Sequence, residues 1–201
     1  MNRRAMTKHW FRPAAAALLA LAGCGEQAQP LRGTDFAGAA IGGAFTLTGR
    51  DGRPVRFDDF AGKYRIVYFG YTFCPDACPM DVGVLMRGFK AFAAAHPGKA
   101  ARVQPLFVSI DPARDTPQRV GEFADAFGPP LIGLTGSPEQ VAAAAKAFKA
   151  YFSRGEDSAG GYLMDHSRVA YLIGPDGKPI EGLPIEQGAE AVAADLAAAV
   201  R

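Results

Sequence analysis

The chain has 201 residues, 49% of them hydrophobic, with 22 Lys and Arg against 20 Asp and Glu. So even a balance excludes a nucleic-acid surface built on net charge. Four of the basic residues (Arg3, Arg4, Lys8 and Arg12) precede any acidic one, and without residues 1–23 the chain carries 18 basic against 20 acidic side chains, a net charge of about −2.

Residues 1–23 read as an export signal. A basic start leads into the apolar stretch Pro13–Ala22, which is short for a bilayer span. It ends in Leu21-Ala22-Gly23-Cys24, which looks like a lipobox, so Cys24 is expected to be lipidated and to become the new N-terminus. Arg3-Arg4 leaves the twin-arginine route open beside the general one. Residues 24–40, rich in Gly, Ala and Gln, are expected to form a flexible tether, and 41–201 one folded domain. This organisation puts the protein in a bacterial cell envelope, lipid-anchored to the membrane (the inner one preferred) with its domain facing the periplasm. Thiols there must cycle, bind metal or form a disulfide.

Within the domain, Phe45–Thr48 and Val55–Phe57 flank Gly49-Arg50-Asp51-Gly52 and predict a hairpin. Arg65–Phe69 predicts a buried strand. Pro79 suits a first helical turn, and Val82, Leu85, Met86, Phe89 and Phe92 recur at helical spacing until His96-Pro97-Gly98. Val103–Ile110 predicts a second central strand. Thr116-Pro117 opens a helix that ends before Gly128. Leu131–Leu134 predicts a short strand, and Ser137-Pro138-Glu139 caps a helix to about Tyr151. A loop is expected from Ser153 to about Leu163, then a hairpin of Ser167–Ile173 and Lys178–Ile180, then a helix over Ala189–Val200. This order predicts an α/β domain: a thioredoxin-like fold with a mixed central sheet flanked by helices and an N-terminal β-hairpin extension.

The chemistry concentrates at Cys74-Pro75-Asp76-Ala77-Cys78, directly after the first buried strand. Four-residue spacing puts both thiols on one face if the segment is helical. A helix starting near Cys78-Pro79 would favour thiolate at both. Thiolate serves as metal ligand and as nucleophile, so spacing alone does not separate metal binding from redox chemistry. A purely structural disulfide would close too short a loop to constrain much of the unfolded chain.

His166 is the candidate third ligand. In a thioredoxin-like sheet the loop before Val169–Ile173 faces the thiols, and this chain carries Met164-Asp165-His166 where thioredoxins place an X-Pro pair. His9 falls in the leader and His96 at a helix end. Two thiolates and an imidazole suit Cu(I), or Cu(II) with a further ligand; zinc is the competitor. Asp165 and Asp76 are the acids expected to orient His166 or tune a metal.

Three segments together resemble the SCO/SenC family: Tyr68-Phe69-Gly70-Tyr71-Thr72-Phe73-Cys74-Pro75-Asp76-Ala77-Cys78-Pro79, Val108–Pro117, and Asp165-His166-Ser167. The resemblance runs from about Gly43 to the C-terminus. It implies a membrane-tethered copper metallochaperone with one copper on Cys74, Cys78 and His166. Such a protein assists assembly of the binuclear copper centre of cytochrome c oxidase. The implied partners are the oxidase subunit II copper domain, a copper donor protein and a periplasmic thioredoxin-like reductant. Many members use a transmembrane anchor where this chain offers a lipobox. The alternative function is a thiol-disulfide reductase using Cys74 and Cys78 as a redox-active pair. A peroxiredoxin-like peroxidase is disfavoured because Thr72-Phe73-Cys74 lacks the expected upstream proline and threonine; a copper or redox sensor stays open. Asp111–Asp115 is read either as part of a docking surface or as a capped strand-to-helix connection.

Overall fold

The computed structural model describes Met1 and residues 30–157 and 161–201. The expected lipidation segment 21–24, Cys24 included, lies outside the described residues. Among the described residues, no helix is long and apolar enough to cross a membrane.

A mixed six-stranded sheet forms the centre. Its strands are β1 (Thr34–Asp35), β4 (Tyr64–Gly70), β5 (Val103–Ser109), β6 (Ile132–Leu134), β9 (Ala170–Ile173) and β10 (Pro179–Leu183), in the order β1-β10-β9-β4-β5-β6. β4, β5 and β6 are parallel; β9, β10 and β1 run antiparallel to their neighbours. Every residue of β4 and β5 is buried. That is why Ile66–Phe69 and Pro105–Val108 read as continuous rather than alternating apolar runs: each strand is covered on both faces.

Helices α1 (Ala77–Ala95), α3 (Pro117–Phe127) and α5 (Ala189–Ala199) cover one face, with the single turn α2 (Pro97–Ala100) after α1. Tyr68 turns to this face and donates to Asp81 on α1, and Phe107 meets Phe123 of α3 with ring centroids 4.4 Å apart. α1 and α5 approach closely at Gly88, where a Cβ would lie 2.7 Å from Val192. Phe69 turns to the other face, against Phe148 at the end of α4 (Pro138–Ala147). There Phe148 also meets Phe45 and Phe57, which border the hairpin of β2 (Thr46–Thr48) and β3 (Pro54–Arg56). The fold is thus the expected thioredoxin-like α/β one, hairpin extension included.

Three local expectations change. α1 begins at Ala77, two residues before Pro79, so Cys78 is helical and Cys74 is not. α4 stops at Ala147 rather than near Tyr151, where Phe148 turns into the core and Lys149 adopts a φ of 55°. The expected loop 153–163 opens and closes as a second hairpin, β7 (Phe152–Arg154) with β8 (Met164–His166).

The expected tether 24–40 is not all tether. Thr34 and Asp35 pair with Gly182 and Glu181, and the amides of Arg32 and Gly33 donate to the Asp195 carboxylate at 2.7 and 2.8 Å. Glu181 lies fully buried beneath this strand, and neither carboxyl oxygen finds a donor of ordinary geometry. Burial first, then the neighbouring Asp195 carboxylate, pushes its pKa up from 4.5 to about 8. The folded state therefore keeps a proton that the unfolded chain releases, so this group's contribution to stability is complete below pH 4.5 and fades as pH rises to about 8. Glu181→Gln is expected to flatten that fall and to gain at least about 1 kcal/mol at pH 8 relative to pH 5, each pKa unit being worth about 1.4 kcal/mol. Urea unfolding of both proteins across this range measures it; parallel pH profiles would contradict the assignment.

Candidate metal centre

β4 runs straight at the site. At its end, Gly70 leaves room: a Cβ there would lie 3.1 Å from the Cys78 sulfur and 3.0 Å from the rings of Tyr68 and Phe107. The chain then turns through Thr72–Asp76 and enters α1. Asp115, fully buried, fixes this turn by accepting from the Thr72 amide at 2.9 Å, the Thr72 hydroxyl at 2.6 Å and the Ser109 hydroxyl at 2.6 Å.

The two thiols are not equivalent. Cys78 is buried in the first turn of α1, while Cys74 is half-buried in the preceding turn and accepts the Cys78 amide at 3.2 Å. Burial opposes ionisation of Cys74, but the amides of Cys78 and Asp76 outweigh it and hold the thiol below its ordinary range. Burial pushes the Cys78 thiol well up, with the Cys74 side chain and Asp81 adding to it. The helix start therefore activates one thiol, not both as expected from sequence, because Cys78 sits inside the helix and Cys74 faces its free amides. Both cysteines are free thiols.

His166 ends β8 and faces the pair. Its Nε2 lies 3.2 Å from the Cys78 sulfur, and its Nδ1–H donates to the Ser167 carbonyl at 3.0 Å. That bond fixes the tautomer and turns the Nε2 lone pair to the thiols. Tyr68 and Tyr71 pack edge-on to the imidazole, at 6.2 and 6.0 Å between centroids. The donor atoms of Cys74, Cys78 and His166 all lie within 4.8 Å of one another. Such a set of two sulfurs and one nitrogen fits a soft or borderline metal ion.

Asp76 and Asp165 do not take the roles expected of them. Both are exposed, and the alternation of β8 turns Asp165 away from the side His166 faces. Asp76 is the residue before α1, and its side chain makes no capping bond. The acid that reaches the site is Asp81: it accepts from Tyr68 at 2.8 Å and pairs with Arg168, two residues past His166, at 2.5 Å. Its spacing gave a signal, since three residues past Cys78 on a helix means the same face. A shallow depression of about 610 Å³, lined by Leu31, Tyr64, Ile180 and Arg201, opens near the start of β4. The thiols lie beyond the other end of that strand, and none of the three donors lines the depression.

Known proteins resemble this chain over most of its length. The protein SenC of Rhodobacter capsulatus is 44% identical over 147 residues, which cover 72% of this chain and 63% of SenC. The mitochondrial SCO1 homolog 1 of Arabidopsis thaliana is 43% identical over 138 residues, covering 69% of this chain and 40% of the homolog. The chain thus spans less than two thirds of the length of either curated relative. The crystal structure of Arabidopsis thaliana ScoI with copper bound superposes with a TM-score of 0.70 at 37% identity, covering 77% of this chain and 94% of that one. With the SCO1/SenC family model matching residues 34–201, cysteine turn, Asp115 and His166 included, this chain belongs to the SCO1/SenC family.

Proposed function

We propose that this protein binds one copper ion through Cys74, Cys78 and His166 and serves in assembly of the binuclear copper centre of cytochrome c oxidase. The observation that carries this reading is the convergence of the three donors within 4.8 Å, with the imidazole tautomer already set for Nε2 ligation. Cys74 and His166 are only half-buried, so the metal can be reached by an incoming ligand, while buried Cys78 holds it from below. That arrangement suits transfer by ligand exchange. The recipient is the copper domain of oxidase subunit II, supplied in turn by a copper donor protein. The lipobox at Leu21–Cys24 supports a lipid-anchored domain on the periplasmic face of the inner membrane.

The test is copper loading of the reduced protein, followed by mixing with the purified oxidase copper domain. One tightly held copper per chain that moves to the recipient is the expected result. Absence of tight copper binding would sink the reading.

A second reading rests on the inequality of the thiols. Reachable Cys74 would attack a target disulfide, form a mixed disulfide and release one target thiolate. Cys78 would then attack Cys74, freeing the second target thiol and leaving a Cys74–Cys78 disulfide. A thioredoxin-like reductant would restore the dithiol. This route needs both cysteines and not His166, so a His166 variant separates the two.

A further inference from the structure

The half of the site that carries His166 stands outside the central sheet. β7 and β8 pair only with each other and add no strand to the central sheet. A two-stranded hairpin of three residues a side is marginal by itself. Past His166 it is held by Arg168 on Asp81, while the Ser167 amide donating to the Tyr151 carbonyl only extends the hairpin's own ladder. Before His166, Met164 packs into the core, and the polar tie is Arg114. Its Nη1 donates to the Tyr162 carbonyl at 2.9 Å, and its guanidinium lies over the Tyr162 ring, 3.6 Å from the centroid. The Tyr162 hydroxyl donates to Asp111 at 2.7 Å, and Asp111 in turn takes Arg114 Nε at 2.5 Å. Arg154 of β7 covers the ring 3.9 Å from the centroid.

The stack continues into the cysteine half. The Arg114 guanidinium also sits 4.8 Å from the Phe73 ring and 5.8 Å from the Tyr71 ring. Phe73 precedes Cys74 in the chain, and Tyr71 packs on the His166 ring. Arg119 of α3 lies 4.6 Å from Phe73. Among the described residues, Arg114 Nη2 is buried without a hydrogen-bond partner, and ring faces hold that side of the guanidinium. The connection between β5 and α3 therefore grips both halves: Asp115 holds Thr72, and Arg114 with Asp111 holds Tyr162. Asp111 and Asp115 are buried, which removes them from any docking surface. Thr116 is the helix cap, accepting the Arg119 amide.

We propose that Arg114 is a positioning residue that sets the spacing between His166 and the cysteine pair by stacking between Tyr162 and Phe73. A lysine cannot replace it, because an ammonium has no plane to stack and no fork to reach both Asp111 and the Tyr162 carbonyl. The inference deepens the copper reading, but its first readout needs no metal.

The experiment compares wild type, Arg114→Ala and Arg114→Lys as full chains. Amide exchange of the metal-free proteins is followed at residues 152–154 and 164–166. Copper affinity and the Cu(II) charge-transfer band are then measured. Both variants are expected to speed exchange in the hairpin, shift the band and weaken copper about tenfold or more, the size of effect seen when groups that orient a ligand are lost. Lysine is expected not to rescue. Exchange, band and affinity all unchanged in Arg114→Ala would overturn the proposal, and so would full rescue by lysine. If Arg114→Ala does not fold, Tyr162→Ala removes the other half of the stack and is judged by the same outcomes. Failure of the wild type to bind copper would overturn the proposed function instead, and hairpin exchange would still decide the role of Arg114.

Discussion

His166→Ala is expected to weaken copper binding by far more than tenfold and to leave the fold intact, whereas Cys74→Ser and Cys78→Ser are each expected to remove the sulfur-to-Cu(II) charge-transfer band. The imidazole is one of three donors within 4.8 Å, and loss of the groups that merely orient such a ligand already costs about 10–100-fold. The fold should tolerate the change because the ring is half-buried and its hydrogen bonds reach only the neighbouring Ser167 carbonyl and the Cys78 thiol. The serine variants keep the size of the side chain and lose the soft donor. Competition against a Cu(I) chelator and absorption of the Cu(II) form make the comparison. Wild-type affinity in the alanine variant, or a full band in either serine variant, would contradict three-donor ligation. Wild-type disulfide reductase activity in His166→Ala alongside lost copper binding would show that the thiol route works without the imidazole.

Asp115→Ala is the largest expected loss of stability, about 3–4 kcal/mol. Its carboxylate accepts three hydrogen bonds, from the Thr72 amide, the Thr72 hydroxyl and the Ser109 hydroxyl. Ser109 is fully buried, and bonds to a charged acceptor contribute about 1.5–3 kcal/mol each before the cost of donors left unpaired. Asp115→Asn keeps one accepting oxygen and is expected to lose about half as much, because its amide group would face donors rather than acceptors. Urea unfolding measures both. Copper affinity should fall with stability, since the same carboxylate holds the turn leading to Cys74. A loss below about 1 kcal/mol in the alanine variant would mean that water replaces the carboxylate there.

Much of the protein was legible from residue pattern. The continuous apolar runs of β4 and β5 required cover on both faces, and only helices and a hairpin of this order supply it. The spacing from Cys74 to Cys78, placed at the end of a buried strand, marked the candidate site, and the position of His166 ahead of β9 marked the third side chain that the fold brings within 4.8 Å of them. The lipid anchor expected at Cys24 rests on sequence alone, since that residue lies outside the described residues.

Other features depended on contacts between residues far apart in the chain. Local physics assigned the helix start to both thiols; tertiary burial raised one and left the free amides to lower the other. Asp165 and Asp76 were near the ligands in sequence, but strand alternation and the helix entrance point them to solvent. Asp81 and Asp115 took their places through partners such as Arg168, 87 residues away from Asp81, and Thr72, 43 residues away from Asp115. The edge strand Thr34–Asp35 is two residues of polar sequence, with no periodicity to reveal it; its partners on β10 and the Asp195 carboxylate make it a strand. Sequence determines such features only through the whole fold, because the partner that decides each one is brought there by packing and not by spacing.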